Sequence, residues 1–189
     1  MNKLKKFLIS VLTLFCLISL TISAEAEDLS KDKTLAVIIV GSSDYKTANF
    51  VRYAQEYFEV PENVKIMSGS EVQSKYQTYW LKKGLLDEGT PTQSDFIEFV
   101  NYSGYDKTIY LVVKDPVLDT HDRKGKQRSR ASITINAFLV DSQKIIEVVS
   151  STNEEDSKTS ELRAKRGAFK QCIREISKTF NPILNEIFN

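Results

Sequence analysis

Hydrophobic and polar residues alternate between two regimes along this chain. The run Leu35-Ala36-Val37-Ile38-Ile39-Val40 is unbroken apolar and ends at Gly41-Ser42-Ser43. That is the pattern of a strand covered on both faces. Thr47 is placed to cap a helix from about 48 to 59, with Phe50, Tyr53, Ala54, Tyr57 and Phe58 on one side and Pro61 closing it. Val64 to Met67 predicts a short second strand. Ser70 then opens a helix to about 83, in which Val72, Tyr76, Tyr79 and Trp80 recur at helical spacing before Gly84.

Thr92 followed by Asp95 resembles a capping box, and the helix it starts carries Phe96, Ile97, Phe99 and Val100 up to Gly104. Thr108 to Val113 is the second strongly apolar strand. From 131 to 140 the pattern changes to period two: Ile133, Ile135, Ala137 and Leu139 alternate with Ser132, Thr134 and Asn136. This predicts an antiparallel strand with one covered face. Asp141 to Lys144 reads as a turn into a strand from 145 to 149. Two polar stretches, 119–130 and 151–160, read as loops, the second acidic at Glu154, Glu155 and Asp156. A last helix is expected from about 160 to 180, broken at Asn181-Pro182.

The order is therefore β-α-β-α-α-β-β-β-α. It predicts an α/β (α+β) fold in which a mixed sheet of about five strands is covered by helices in two or three layers.

The amino terminus follows a different rule. Lys3, Lys5 and Lys6 precede an apolar run from Phe7 to Ile22, and Ala24-Glu25-Ala26 has small residues at the spacing of a cleavage site. Residues 1–26 read as a secretory signal peptide, cut after Ala24 or Ala26, with 27–189 as a single domain. Periplasmic and extracellular destinations are both open. Phe15 stands before Cys16, where lipidation requires a small residue.

Removing that segment changes the charge arithmetic. The 189 residues hold 26 basic and 25 acidic side chains, and taking away Lys3, Lys5, Lys6 and Glu25 leaves 23 and 24. Balanced charge excludes a dedicated nucleic-acid binder. Cys172 becomes the only cysteine, among Phe169, Ile173, Ile176 and Phe180 at helical spacing, so an internal disulfide is excluded and a buried thiol is expected.

Candidate chemistry is sparse. His121 is the only histidine, in a polar segment, which excludes a multi-histidine metal site. No nucleophile elbow or zinc motif occurs, and neither a cofactor nor a metal is expected. Gly41, Ser42, Ser43 and Asp44 follow the first apolar strand, where α/β proteins place ligand-binding loops. One glycine there matches neither dinucleotide nor P-loop fingerprints, and a plain strand-to-helix turn is the competing account. Arg123, Lys124, Lys126, Arg128 and Arg130 place five cations in eight positions, suited to an anionic envelope polymer or an acidic protein face, or to a solvated hairpin.

The closing segment carries a resemblance. Ala137-Phe138-Leu139-Val140-Asp141, a turn, a strand, an acidic stretch and a helix opening Leu162-Arg163-Ala164-Lys165-Arg166-Gly167-Ala168 resemble the β-β-α end of envelope domains similar to the TolB amino-terminal domain and the CsgG-like and LpoB-like proteins. Those hairpins carry V-D-x-x-x-G-x-I, whereas Val140-Asp141 is followed here by Ser142-Gln143-Lys144-Ile145, without the glycine. Ala164, Gly167 and Ala168 would let the helix lie close to the sheet. The resemblance implies a non-catalytic module that docks on an envelope protein or assembles with copies of itself. A small secreted hydrolase or ligand-binding enzyme with its site at 41–44 is the alternative.

Overall fold

The computed structural model describes residues 32–41, 43–84, 91–122 and 125–189; the leader-like segment 1–26 lies outside them. Residues Lys33–Asn189 form one unit. The strands are β1 (Lys33–Val40), β2 (Val64–Met67), β3 (Lys107–Val113), β4 (Val117–Asp122), β5 (Gln127–Val140) and β6 (Ile145–Ser157). The helices are α1 (Ala48–Tyr57), α2 (Ser70–Lys82), α3 (Gln93–Ser103) and α4 (Glu161–Phe188), with a 3-10 turn at Ser43–Lys46.

β1 is central and parallel to both β2 and β3, as its apolar run requires. β5 is antiparallel to β3 through residues 135–140 and to β4 through 127–132, so β3 and β4 lie end to end along one edge of β5. Pro116 sits in the gap between them, where no ladder donor is needed. β6 pairs with the other edge of β5. The result is an open six-stranded mixed sheet in a three-layer sandwich.

The two faces are closed by different helices. Leu35, Val37, Ile39, Ile109, Leu111, Ile133, Ile135 and Leu139 meet α1 and α4, whereas Ala36, Ile38, Tyr110 and Val140 meet α2 and α3. Strand period two sends neighbours to opposite faces. The adjacent Leu139 and Val140 are accordingly buried one on each side, and a bulge opposite them leaves Ile146 of β6 unpaired.

Local signals behave as expected at α3. Thr92 accepts from the Asp95 amide at 3.3 Å, and the Asp95 carboxylate accepts from the Thr92 amide at 2.8 Å. Elsewhere the structure corrects the expectation. The polar stretch 119–130 contains β4 and the first residues of β5, and the acidic stretch 151–160 is strand as far as Ser157. Thr47 precedes α1 without capping it through its side chain, and Gly69, not Ser70, is the cap residue of α2. Nor does Pro182 end the last helix, which runs on to Phe188. The Lys178 carbonyl there loses its usual amide donor. Burial of Leu184 and Phe188 holds the turn beyond it, and Asn181 pins it laterally through the Glu59 amide at 3.1 Å and the Tyr57 carbonyl at 3.0 Å.

Small residues bring α4 onto β6. Ala164 and Ala168 are fully buried, and a Cβ built on Gly167 would lie 2.5 Å from Glu155 Cγ. An alanine for glycine inside a helix ordinarily gains about 1 kcal/mol. Gly167→Ala is expected instead to lose about 1 kcal/mol, because Glu155 must swing away and give up its bond from Gln171 at 2.7 Å. In a Glu155→Ala background the same change should stabilise. Thermal unfolding of the four chains measures both signs, and a stabilising Gly167→Ala in the parent would contradict the contact.

Candidate functional site

The sheet has two places where chemistry is concentrated. The first is the carboxyl end of β1. The chain leaves β1 for β2 on one side and returns through α2 and α3 to β3 on the other, so this end is a topological switch point. Gly41 is there for backbone reasons. Its φ is +136°, and a Cβ would stand 2.7 Å from the Val113 carbonyl oxygen of β3. Ser42 lies outside the described residues, as does the Ser43 side chain.

Asp44 is exposed and pairs with Lys165 of α4 at 3.7 Å; Lys165 also meets Glu161 at 2.8 Å. Tyr45 is the residue sequence reasoning passed over. It is 1% exposed, its ring lies against Phe50 and Phe169, and its hydroxyl is buried without a hydrogen-bond partner. Burial, reinforced by Asp44, Asp115 and Glu161, pushes that phenol up to about 12. Its ring fills a core position. No nucleophile and base are brought together at this end among the described residues.

The second place is the far half of the β5–β6 hairpin. On the face opposite α4, Phe138 is the last β5 residue that packs with α2 and α3. Beyond it Asn136, Thr134, Ser132, Arg130 and Arg128 point away from the buried Ile135, Ile133 and Ala131. This stretch is a helix-free polar sheet face among the described residues. Its side chains pair across the strands: Thr134 with Thr152 at 2.8 Å, Ser150 donating to Asn136 at 2.9 Å, and Arg130 with Asp156 at 3.0 Å. Val117 of β4 and Val148 of β6 flank it, 71% and 47% exposed.

This face separates the basic candidates. Arg123 and Lys124 lie outside the described residues. Lys126 is exposed at the hairpin. Arg130 is committed to Asp156, whose carboxyl is held below its ordinary range by that hydrogen bond against some desolvation, with help from the nearby His121 and Arg128. His121 approaches the same carboxylate at 3.6 Å. Arg128 has no ion pair among the described residues, and its Nε is buried without a partner. The acidic segment therefore neutralises one arginine of the basic run and leaves another.

The polar residues on the α4 side of β6 serve the fold. Ser151 and Asn153 donate to Glu175 at 2.6 and 2.8 Å, which holds that carboxyl low. Cys172 is buried beneath them as a free thiol, and burial pushes it up. No helix among the described residues is long and apolar enough to cross a membrane, and no group of three or more His, Cys, Asp or Glu side chains among them is arranged to hold a metal.

No protein-family model matches the chain, and neither does any curated protein. Solved structures do resemble it. They include a hypothetical protein of Chlamydia trachomatis (10% identity over 79% of this chain and 96% of that one, TM-score 0.42). A lipoprotein of Neisseria meningitidis shows 15% identity over 78% and 97%, with TM-score 0.40. The rare lipoprotein B of Shewanella oneidensis shows 11% over 77% and 89%, with TM-score 0.32. Likeness at this level transfers no residue role and no activity.

Proposed function

We propose that this chain is an exported, non-catalytic module of the bacterial cell envelope, and that it binds a partner through the helix-free face of β5 and β6. One observation carries the reading. Both strands continue past the helices of that face, and Thr134 with Thr152, Asn136 with Ser150 and Arg130 with Asp156 pair across it in a row of hydroxyl, amide and ion pairs. A sheet extension of this kind presents hydrogen-bonding groups on a rigid support. The leader-like segment 1–26 and the resemblance of β5-β6-α4 to envelope domains support the location.

The test is photocross-linking in the native host, with a photoreactive residue at Ser150 on this face and, as control, at Gln77 on the exposed side of α2. A discrete adduct from 150 and none from 77, reduced severalfold by Thr134→Arg, is expected. Equal labelling from both positions, or an adduct that Thr134→Arg leaves intact, would overturn the reading. The enzyme alternative separates cleanly: turnover of a small molecule that Ser42→Ala, Ser43→Ala and Asp44→Ala together abolish would move the function to the end of β1.

A further inference from the structure

A cavity of about 400 Å³ opens where β6 ends and α4 begins, at the tip of the proposed binding face. Arg128 of β5, Lys158 of the turn and Arg163 of α4 line it. Two carboxylates also line it, but both are engaged: Asp156 with Arg130 and His121, and Glu155 with Gln171. None of the three cations has an ion-pair partner among the described residues. The one side-chain hydrogen bond on either exposed cation among those residues is a long contact from Arg163 to Thr159 at 3.5 Å. Arg128 goes further, because its Nε is removed from water without an acceptor.

We infer that this cavity is a binding site for a phosphate group, taken up by Arg128, Lys158 and Arg163. The arginine forks match the geometry of a tetrahedral oxyanion, and the lysine adds a point charge. The cations come from three separate parts of the fold, β5, the β6–α4 turn and α4, and all three line the one cavity. The volume exceeds that of a bare phosphate and leaves room for the group to arrive on a larger molecule. This inference rests on the reading of the hairpin end as the binding surface and names the chemistry it would meet.

The experiment is a titration of the isotopically labelled protein with inorganic phosphate at constant ionic strength, followed by amide resonances. Saturable shifts confined to 157–163 and to Arg128 are expected, with affinity lowered at least tenfold in Arg128→Gln/Lys158→Gln/Arg163→Gln, the loss of about 1.4 kcal/mol or more. Absence of saturation, or equal saturation in the triple variant, would overturn the site. A second arm uses sedimentation with vesicles of anionic phospholipid and with neutral phosphatidylcholine. Retention on the anionic vesicles alone, lost in the triple variant, identifies a lipid headgroup as the source; phosphate binding without retention identifies a soluble phosphate. The Ser150 adduct distinguishes the two proposals: a triple variant that keeps the adduct and loses phosphate separates the cavity from the face, and a chain that binds phosphate without any adduct retains the site and sinks the face.

Discussion

Phe169→Ala is expected to cost about 3–5 kcal/mol of stability, the largest effect of any single substitution considered for this chain. Phe169 is fully buried on the first turns of α4, and it is one of the rings through which that helix grips the amino-terminal half of the fold. Its centroid lies 4.8 Å from Phe50 of α1 at an edge-to-face angle of 84° and 6.0 Å from Tyr45 in a stacked orientation. Truncation would remove the transfer energy of the ring, two aromatic contacts and the support of the β1 turn at once. Phe169→Leu keeps most of the volume and should cost less than half as much. Urea unfolding monitored by Trp80 fluorescence and by circular dichroism measures both, and equal losses in the two variants would contradict the role given to ring packing.

The second large effect is expected at Gly41. Gly41→Ala should lose about 2–4 kcal/mol, from two causes that add. A φ of +136° is open to glycine and costly for alanine, and the new methyl group would stand 2.7 Å from the Val113 carbonyl oxygen, a backbone atom that cannot swing aside. Relief requires β1 and β3 to separate at their carboxyl ends. The substitution also bears on function: if 41–44 held a ligand, stability and binding would fall together, whereas a spacing role predicts lost stability with the Ser150 adduct intact in whatever fraction remains folded. A loss below about 0.5 kcal/mol would show that the turn adjusts and that glycine is not needed there.

Much of this architecture is legible in residue patterning, and the exceptions share a cause. The apolar run of β1, the alternation of β5 and the Thr92–Asp95 box all express burial or capping by the residues themselves, so they can be seen without knowing the partner. β4 cannot. Val-Leu-Asp-Thr-His-Asp has neither period, and nearly all of it is exposed; it is a strand because β5 offers it a ladder. The second half of β6 hides for a different reason. Ser151, Asn153 and Glu155 turn toward α4, but that interface is built from polar contacts to Glu175 and Gln171, so the inward positions look like a loop. Pro182 misleads because tertiary burial of Leu184 and Phe188 outweighs one lost backbone bond.

The candidate sites follow the same logic. Gly41 was visible as a turn residue, but the reason for it is a carbonyl on β3, 72 positions away in the chain, and no local window contains it. The basic run 123–130 was visible as charge. What it faces was not: whether an arginine is spent on Asp156 or left open depends on the register of β5 with β6, in which Arg130 falls opposite Asp156 and Arg128 falls beyond the last paired residue.

The last helix has a consequence for how the protein is made. The long helix 161–188 shares one face of the sheet with α1, and the Lys33 ammonium of the first strand binds the Phe188 carbonyl, 155 positions on, at 2.6 Å. At the 5–20 residues per second of synthesis, β1 is complete roughly 7–30 s before α4 exists. During that interval only α1 is available from its own chain to cover the apolar face of β1 and β3, and the fold cannot finish ahead of translation. On the proposed export, such a delay would keep the polypeptide threadable until α4 is released.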